Sequence, residues 1–109
     1  MNNSPFFFMF FYILKSNQIF IYMKIRLFGN DGCGSCRKWK PVFERLMNEY
    51  QLNYEYVDIN KDKIMKDKYQ IHGIPVTIFF DDNDNELGSI LGNMDEDIAR
   101  KQIEYYINV

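Results

Sequence analysis

Both cysteines of this chain fall in one stretch, Gly32-Cys33-Gly34-Ser35-Cys36-Arg37, three positions apart. An alternating run, Lys24-Ile25-Arg26-Leu27-Phe28, precedes it, and a helical pattern of apolar residues follows from about Arg37 to Tyr50. A Cys-x-x-Cys at a strand-to-helix turn is the context of a thiol–disulfide motif. Few folds offer that turn, so the pair constrains the architecture as much as the chemistry.

The chain's 109 residues fit one domain. With 47% hydrophobic and 17% aromatic residues it can fill one core. A net charge of −2 argues against nucleic-acid binding, which needs a basic excess or stripe. Two cysteines are too few for a disulfide-stapled secreted scaffold or for a complete cysteine zinc site. With His72 the only histidine, no metal is expected. The two cysteines most simply serve each other.

Residues 1–22 differ from the rest. Phe6 to Leu14 is continuously apolar, Lys15 to Gln18 polar, and Ile19 to Tyr22 apolar again. A secretory signal wants a positive start and a small-residue cleavage site, and neither is here. A membrane-spanning helix wants about 20 apolar residues, and Lys15 interrupts the run. Residues 1–22 are therefore expected to be an extension outside the core, with Met23 as a possible true start. An extra packed element, or a membrane or export role, remains open.

From Met23 the pattern is regular. Met23–Phe28 reads as a strand. The next helix sets Cys36, Trp39, Phe43, Leu46, Met47 and Tyr50 on one face. Pro41 either lies inside that helix, or the helix begins there. Leu52–Ile59 reads as a strand. Asp62–Tyr69 reads as a short helix with Ile64, Met65 and Tyr69 inward. Val76–Phe80 is an apolar strand covered on both faces. Asp81–Asn85 is a turn, and Glu86–Leu91 the hairpin partner. Asn93 and Glu96 have capping-box spacing for a last helix from about Met94 to Ile107, with Ile98, Ile103, Tyr106 and Ile107 toward the sheet. The order is β-α-β-α-β-β-α.

Asp81, Asn83 and Asn85 echo the start of a calcium loop. Glu86 stands where that loop needs glycine, Gly92 at its twelfth position, and strands flank it. Lys61–Lys68, Arg100 and Lys101 read as solvated helix faces. Trp39 reads as core packing, with a surface aromatic near the cysteines as the other reading. His72 reads as solvent-facing.

Four landmarks in order make the chain resemble the thioredoxin superfamily over about Met23 to Val109. They are Cys33-Gly34-Ser35-Cys36 after a strand, Pro41 five residues beyond Cys36, the segment Tyr69-Gln70-Ile71-His72-Gly73-Ile74-Pro75, and Leu91-Gly92 before the last helix. The resemblance implies an α/β thioredoxin-like fold: a four-stranded mixed sheet with helices on both faces. The strand at Met23–Phe28 would lie between Leu52–Ile59 and Val76–Phe80, with Glu86–Leu91 on the edge. It implies a cis bond before Pro75, bringing Ile74 beside the cysteines with its backbone free to pair with substrate.

The sequence also departs from the family pattern. Gly32 replaces a tryptophan, and Gly-Ser fills the motif. Leu27 aligns with a buried aspartate of thioredoxins. Gly92-Asn93-Met94-Asp95 only partly resembles the glutaredoxin Gly-Gly-x-Asp.

A helix N-terminus offers unpaired N–H groups and about half a positive charge. With Arg37, Lys38 and Lys40 nearby, it would favour a thiolate at Cys33. The expected activity is reduction of protein disulfides, with Cys33 as nucleophile and Cys36 as resolving thiol. Gly34, Ser35, Ile74 and Pro75 would contact substrate, and no cofactor beyond the cysteine pair is expected. A thioredoxin-reductase-like donor is expected over glutathione, with a monomer in the cytoplasm. The alternatives are a glutaredoxin-like glutathione-dependent reductase and a non-catalytic binding or metal-binding module, in which two chains could share four thiolates.

Overall fold

The computed structural model describes residues 23–107. The expectations for residues 1–22 lie outside the described residues. The elements are β1 (Lys24–Gly29), α1 (Gly34–Glu49), β2 (Glu55–Asp58), α2 (Lys63–Lys68), β3 (Val76–Phe80), β4 (Glu86–Leu91) and α3 (Glu96–Ile107). The four strands form one sheet in the order β2-β1-β3-β4. β1 runs parallel to β2 and antiparallel to β3, and β3 runs antiparallel to β4. This is the mixed sheet that the resemblance implies. Among the described residues no helix is long and apolar enough to cross a membrane.

Alternation along β1 divides the core in two. Ile25 and Leu27 join Trp39, Phe43, Leu46 and Met47 of α1, and Ala99 and Ile103 of α3, on one face. Phe28 joins Val57, Ile71, Val76, Ile78 and Phe80 on the other, with Met65 and Tyr69 of the α2 region packed against them. All five residues of β3 are buried, as a strand covered on both faces requires. On the α3 side the Tyr106 ring lies 4.6 Å from the Phe79 ring. It occupies the space that a side chain on Gly88 would need.

α1 starts at Gly34, three residues before the expected Arg37, and continues through Pro41. The alternative of a helix beginning at Pro41 is therefore set aside. Its buried residues are Cys36, Trp39, Phe43, Leu46 and Met47, the face expected from their spacing. β2 is shorter than the expected Leu52–Ile59 because Leu52 closes α1 instead. Gln51 takes a left-handed φ of 53°, and the Leu52 N–H donates to the Met47 carbonyl at 2.8 Å. That six-to-one closure satisfies a carbonyl the helix would otherwise leave bare. α2 ends the same way, with Gln70 at φ 54° and Ile71 N–H donating to the Lys66 carbonyl at 3.0 Å.

Three local expectations are corrected. Ile64 is 81% exposed, because the one inward stripe of this six-residue helix runs through Met65 to Tyr69. Ile98 is 57% exposed; α3 turns Ala99, Ile103 and Ile107 inward instead. The cap of α3 is Asp95, not Asn93. The Asp95 carboxylate accepts from the Asp97 and Ile98 N–H groups, while Glu96 pairs with Arg45 at 2.8 Å. Nor is Arg100 simply solvated. It forks onto both Glu49 oxygens at 2.9 and 3.0 Å and onto Asp97 at 2.7 Å, tying α3 to the end of α1.

A polar network braces the other face. The Arg26 guanidinium lies over the Tyr69 and Phe80 rings and donates to Glu55, Tyr69 Oη and Asp84. Asp84 also accepts from Tyr69 Oη at 2.7 Å and pairs with Lys68 at 3.4 Å. The Tyr69 hydrogen bond, then Arg26 and Lys68, pull the Asp84 carboxyl down to about 2. A depressed folded-state value means the stabilisation is complete above the ordinary aspartate value of about 3.9. It is lost as pH falls toward 2. Asp84→Asn keeps a residue that tolerates the φ of 69° at this position. It is expected to lower the melting temperature at pH 7 and to flatten its fall between about pH 4 and pH 2. Thermal melts across that window check both.

Candidate functional site

The β1–α1 turn is built by local hydrogen bonds. Asn30 Oδ1 accepts the Gly32 N–H at 2.8 Å, and the Asn30 carbonyl accepts the Cys33 N–H at 3.3 Å. Cys33 is left in an extended conformation at the N-cap of α1, and its side chain caps the helix. The sulfur accepts the Cys36 N–H at 3.1 Å. Here the atom that meets the helix dipole is Cys33 Sγ, where caps are usually oxygen. Arg37 is held beside it by a 2.9 Å hydrogen bond to the Asp31 carbonyl.

The two thiols differ in surroundings. Hydrogen bonding from the Cys36 side chain, then from backbone N–H groups, with the Arg37 charge adding, draws the Cys33 thiol below its ordinary value. Burial, then the hydrogen bond with Cys33, pushes the Cys36 thiol up to about 11. Cys33 is half-buried and Cys36 is 5% exposed. The thiolate is thus easier to form at Cys33, at the surface, than at Cys36 buried beneath it.

The second half of the site is the Ile74–Pro75 segment, whose peptide bond is cis. The Ile74 carbonyl lies 3.9 Å from Cys33 Sγ. Pro75 is anchored from the far side, its carbonyl accepting the Gly92 N–H at 2.8 Å. Next to it runs a groove of about 450 Å³ lined by His72, Ile74, Pro75, Ser89, Leu91 and Gly92, among others. Leu91 is 76% exposed on its rim. Gly34 and Ser35 are exposed in the first turn of α1. The structure therefore brings Cys33, Cys36 and Ile74 together, with Pro75 behind Ile74 and Gly34 and Ser35 on the solvent side.

Other residues singled out in the sequence go elsewhere. Trp39 is fully buried, and its Nε1–H donates to Thr77 Oγ1 at 3.0 Å. His72 is exposed. The Asp81 carboxylate is taken up by the Asn83 and Asn85 N–H groups and the Asn85 side-chain amide, so it closes a turn. Among the described residues no three His, Cys, Asp or Glu side chains converge as metal ligands. Sequence reasoning missed Gly29 and Tyr56. Cys36 Sγ and Tyr56 Oη lie 3.0 and 3.3 Å from where a Cβ on Gly29 would sit. Tyr56 registers with Leu27 across β1 and β2, and that pairing is the signal that would have found it.

The thioredoxin family model matches residues 14–105. The chain belongs to the thioredoxin family. Solved thioredoxins have the same fold. A mutant thioredoxin from Halobacterium salinarum NRC-1 superposes with a TM-score of 0.71 at 25% identity, covering 80% of this chain and 76% of that one. Fasciola hepatica thioredoxin gives 0.70 at 24%, covering 83% and 86%. Thioredoxin 1 from Thermosipho africanus TCF52B gives 0.69 at 21%, covering 78% and 94%. The last two are likenesses of fold alone. No curated protein sequence matches the chain at a significant level. Membership in the thioredoxin family, with its Cys-x-x-Cys pair, makes thiol–disulfide oxidoreductase chemistry the general class supported for this protein.

Proposed function

We propose that this thioredoxin-family protein reduces disulfides in other proteins through the Cys33/Cys36 dithiol. The observation that carries the reading is the asymmetric pair. Cys33 Sγ caps a helix and reaches the surface, and Cys36 is buried one turn below. The Cys33 thiolate attacks a substrate disulfide, joining the chains and expelling one substrate thiolate. Cys36 then attacks Cys33, forming the Cys33–Cys36 disulfide and releasing the second thiol. Gly34, Ser35, Ile74 and Pro75 form the substrate-facing surface, and the Ile74 carbonyl is available to a substrate strand. A thioredoxin-reductase-like donor returns the electrons, in preference to glutathione, and the setting is a reducing cytoplasm.

The Cys36→Ser variant tests this. It is expected to accumulate a mixed disulfide with oxidised insulin, seen as a covalent mass increase that dithiothreitol reverses. The wild-type pair, equilibrated in defined thiol/disulfide buffers, should titrate between about −270 and −200 mV. No trapped species, or a potential near about −120 mV like that of a strong oxidant, would overturn the proposal.

A further inference from the structure

When Cys36 attacks the mixed disulfide, it must become a thiolate in a place that resists charge. It is buried, and the β1 position aligned with a family aspartate carries the apolar Leu27, so no carboxylate stands there to take its proton. Gly29, having no side chain, leaves a gap bordered by Cys36 Sγ at 3.0 Å and Tyr56 Oη at 3.3 Å from the same point. Lys40 Nζ lies 4.3 Å from the centre of the Tyr56 ring, holding its flat face. Tyr56 is half-buried on the same face of the sheet as Leu27, its register partner.

Tyr56 is also in the form needed to donate. Burial, then Asp31, Cys36, Asp58 and Cys33, all hold its hydroxyl protonated above the ordinary phenol value. These groups come from the β1–α1 turn, from α1 and from its own strand, and Lys40 is the cation against its ring.

We propose that Tyr56 is a positioning residue for the resolving step, its hydroxyl turning across the Gly29 gap to donate a hydrogen bond to Cys36 as the thiolate forms. This rests on the dithiol reading above and assigns a partner to its second step. In that step the bond between Cys33 and the substrate sulfur breaks and the Cys33–Cys36 bond forms. The electron pair leaves on the substrate sulfur, which takes up, through solvent, the proton given up by Cys36. Tyr56 keeps its own proton throughout. Its donor polarity is opposite to that of a carboxylate acceptor, so it stabilises the thiolate without removing the proton.

Dithiodipyridine separates the two steps. Attack by Cys33 releases one pyridinethione, and attack by Cys36 releases the second, each as a burst of absorbance. Tyr56→Phe keeps the ring beneath Lys40 and removes only the hydroxyl. The first burst is expected to stay within about twofold of wild type. The second is expected to slow about tenfold, the scale of one hydrogen bond to a charged group. Its pH midpoint should move up by about one pH unit. Gly29→Ala, which wedges a methyl group between sulfur and hydroxyl, should give the same signature and serves if Tyr56→Phe does not fold. A second burst with wild-type rate and midpoint overturns the inference, as does slowing of both bursts with no change of midpoint. Absence of the first burst in wild-type protein instead removes the dithiol reading, and this inference with it.

Discussion

Cys33→Ser is expected to reduce disulfide turnover by on the order of 10³-fold or more while leaving the protein folded. The contrast follows from the two tasks of one atom. As a nucleophile the sulfur has no substitute, because a serine hydroxyl in this setting stays protonated. As a helix cap it has a good one, since serine is among the preferred N-cap residues and its oxygen can accept the Cys36 N–H in place of sulfur. Insulin reduction should therefore vanish with little change in melting temperature. In the wild type, hydrogen bonds and Arg37 lower the Cys33 value. The rate of substrate capture should thus hold down to a lower pH than for an ordinary thiol of about 8.5, and fall only as pH drops through the lowered value. Substantial insulin reduction by Cys33→Ser would exclude Cys33 as the attacking group.

Trp39→Ala should have the largest effect on the fold. Trp39 has no exposed surface, lies beside the Phe43 ring at 6.4 Å, and places its N–H on Thr77, itself fully buried. Removing a buried indole costs about 3–5 kcal/mol, against a total of about 5–15 kcal/mol for a typical domain. The companion Thr77→Val keeps the volume and strands the indole N–H, at about 1–3 kcal/mol. Trp39→Phe with Thr77→Val removes both polar ends together. That pair should be less destabilising than the sum of its parts, since neither group is then left unpaired. Urea unfolding of the single and double variants measures this coupling. Strict additivity would mean that the Trp39–Thr77 hydrogen bond contributes nothing beyond packing.

Much of this was legible in the chain. The alternation of Lys24–Phe28, the apolar run of Val76–Phe80 and the spacing from Cys36 to Met47 are local patterns, and each became the element expected. The strand order came from the family resemblance rather than from any pattern in the strands. The less legible parts depend on which distant residues meet. Arg26 looks like an ordinary outward residue of an alternating strand, until β1 is paired and Tyr69, Phe80 and Asp84 are brought around it. Asn93 and Asp95 are both good caps by composition, and the path of the chain into α3 chooses between them. Cys33 and Cys36 could be singled out by motif, but Tyr56 enters only through the register of β2 on β1.

The capping role of Cys33 also ties the start of α1 to the proposed reaction cycle. In the proposed cycle, a Cys33 sulfur bonded to substrate would be a weaker acceptor for the Cys36 N–H than the thiolate that attacked. The first turn of the helix would then be held less firmly just where Cys36 must advance toward Cys33. On that reading substrate capture would loosen the resolving residue, and regeneration of the dithiol would fasten it again. The cap would then steady the pair at rest, and the chemical event that calls for closure would be the one that relaxes it.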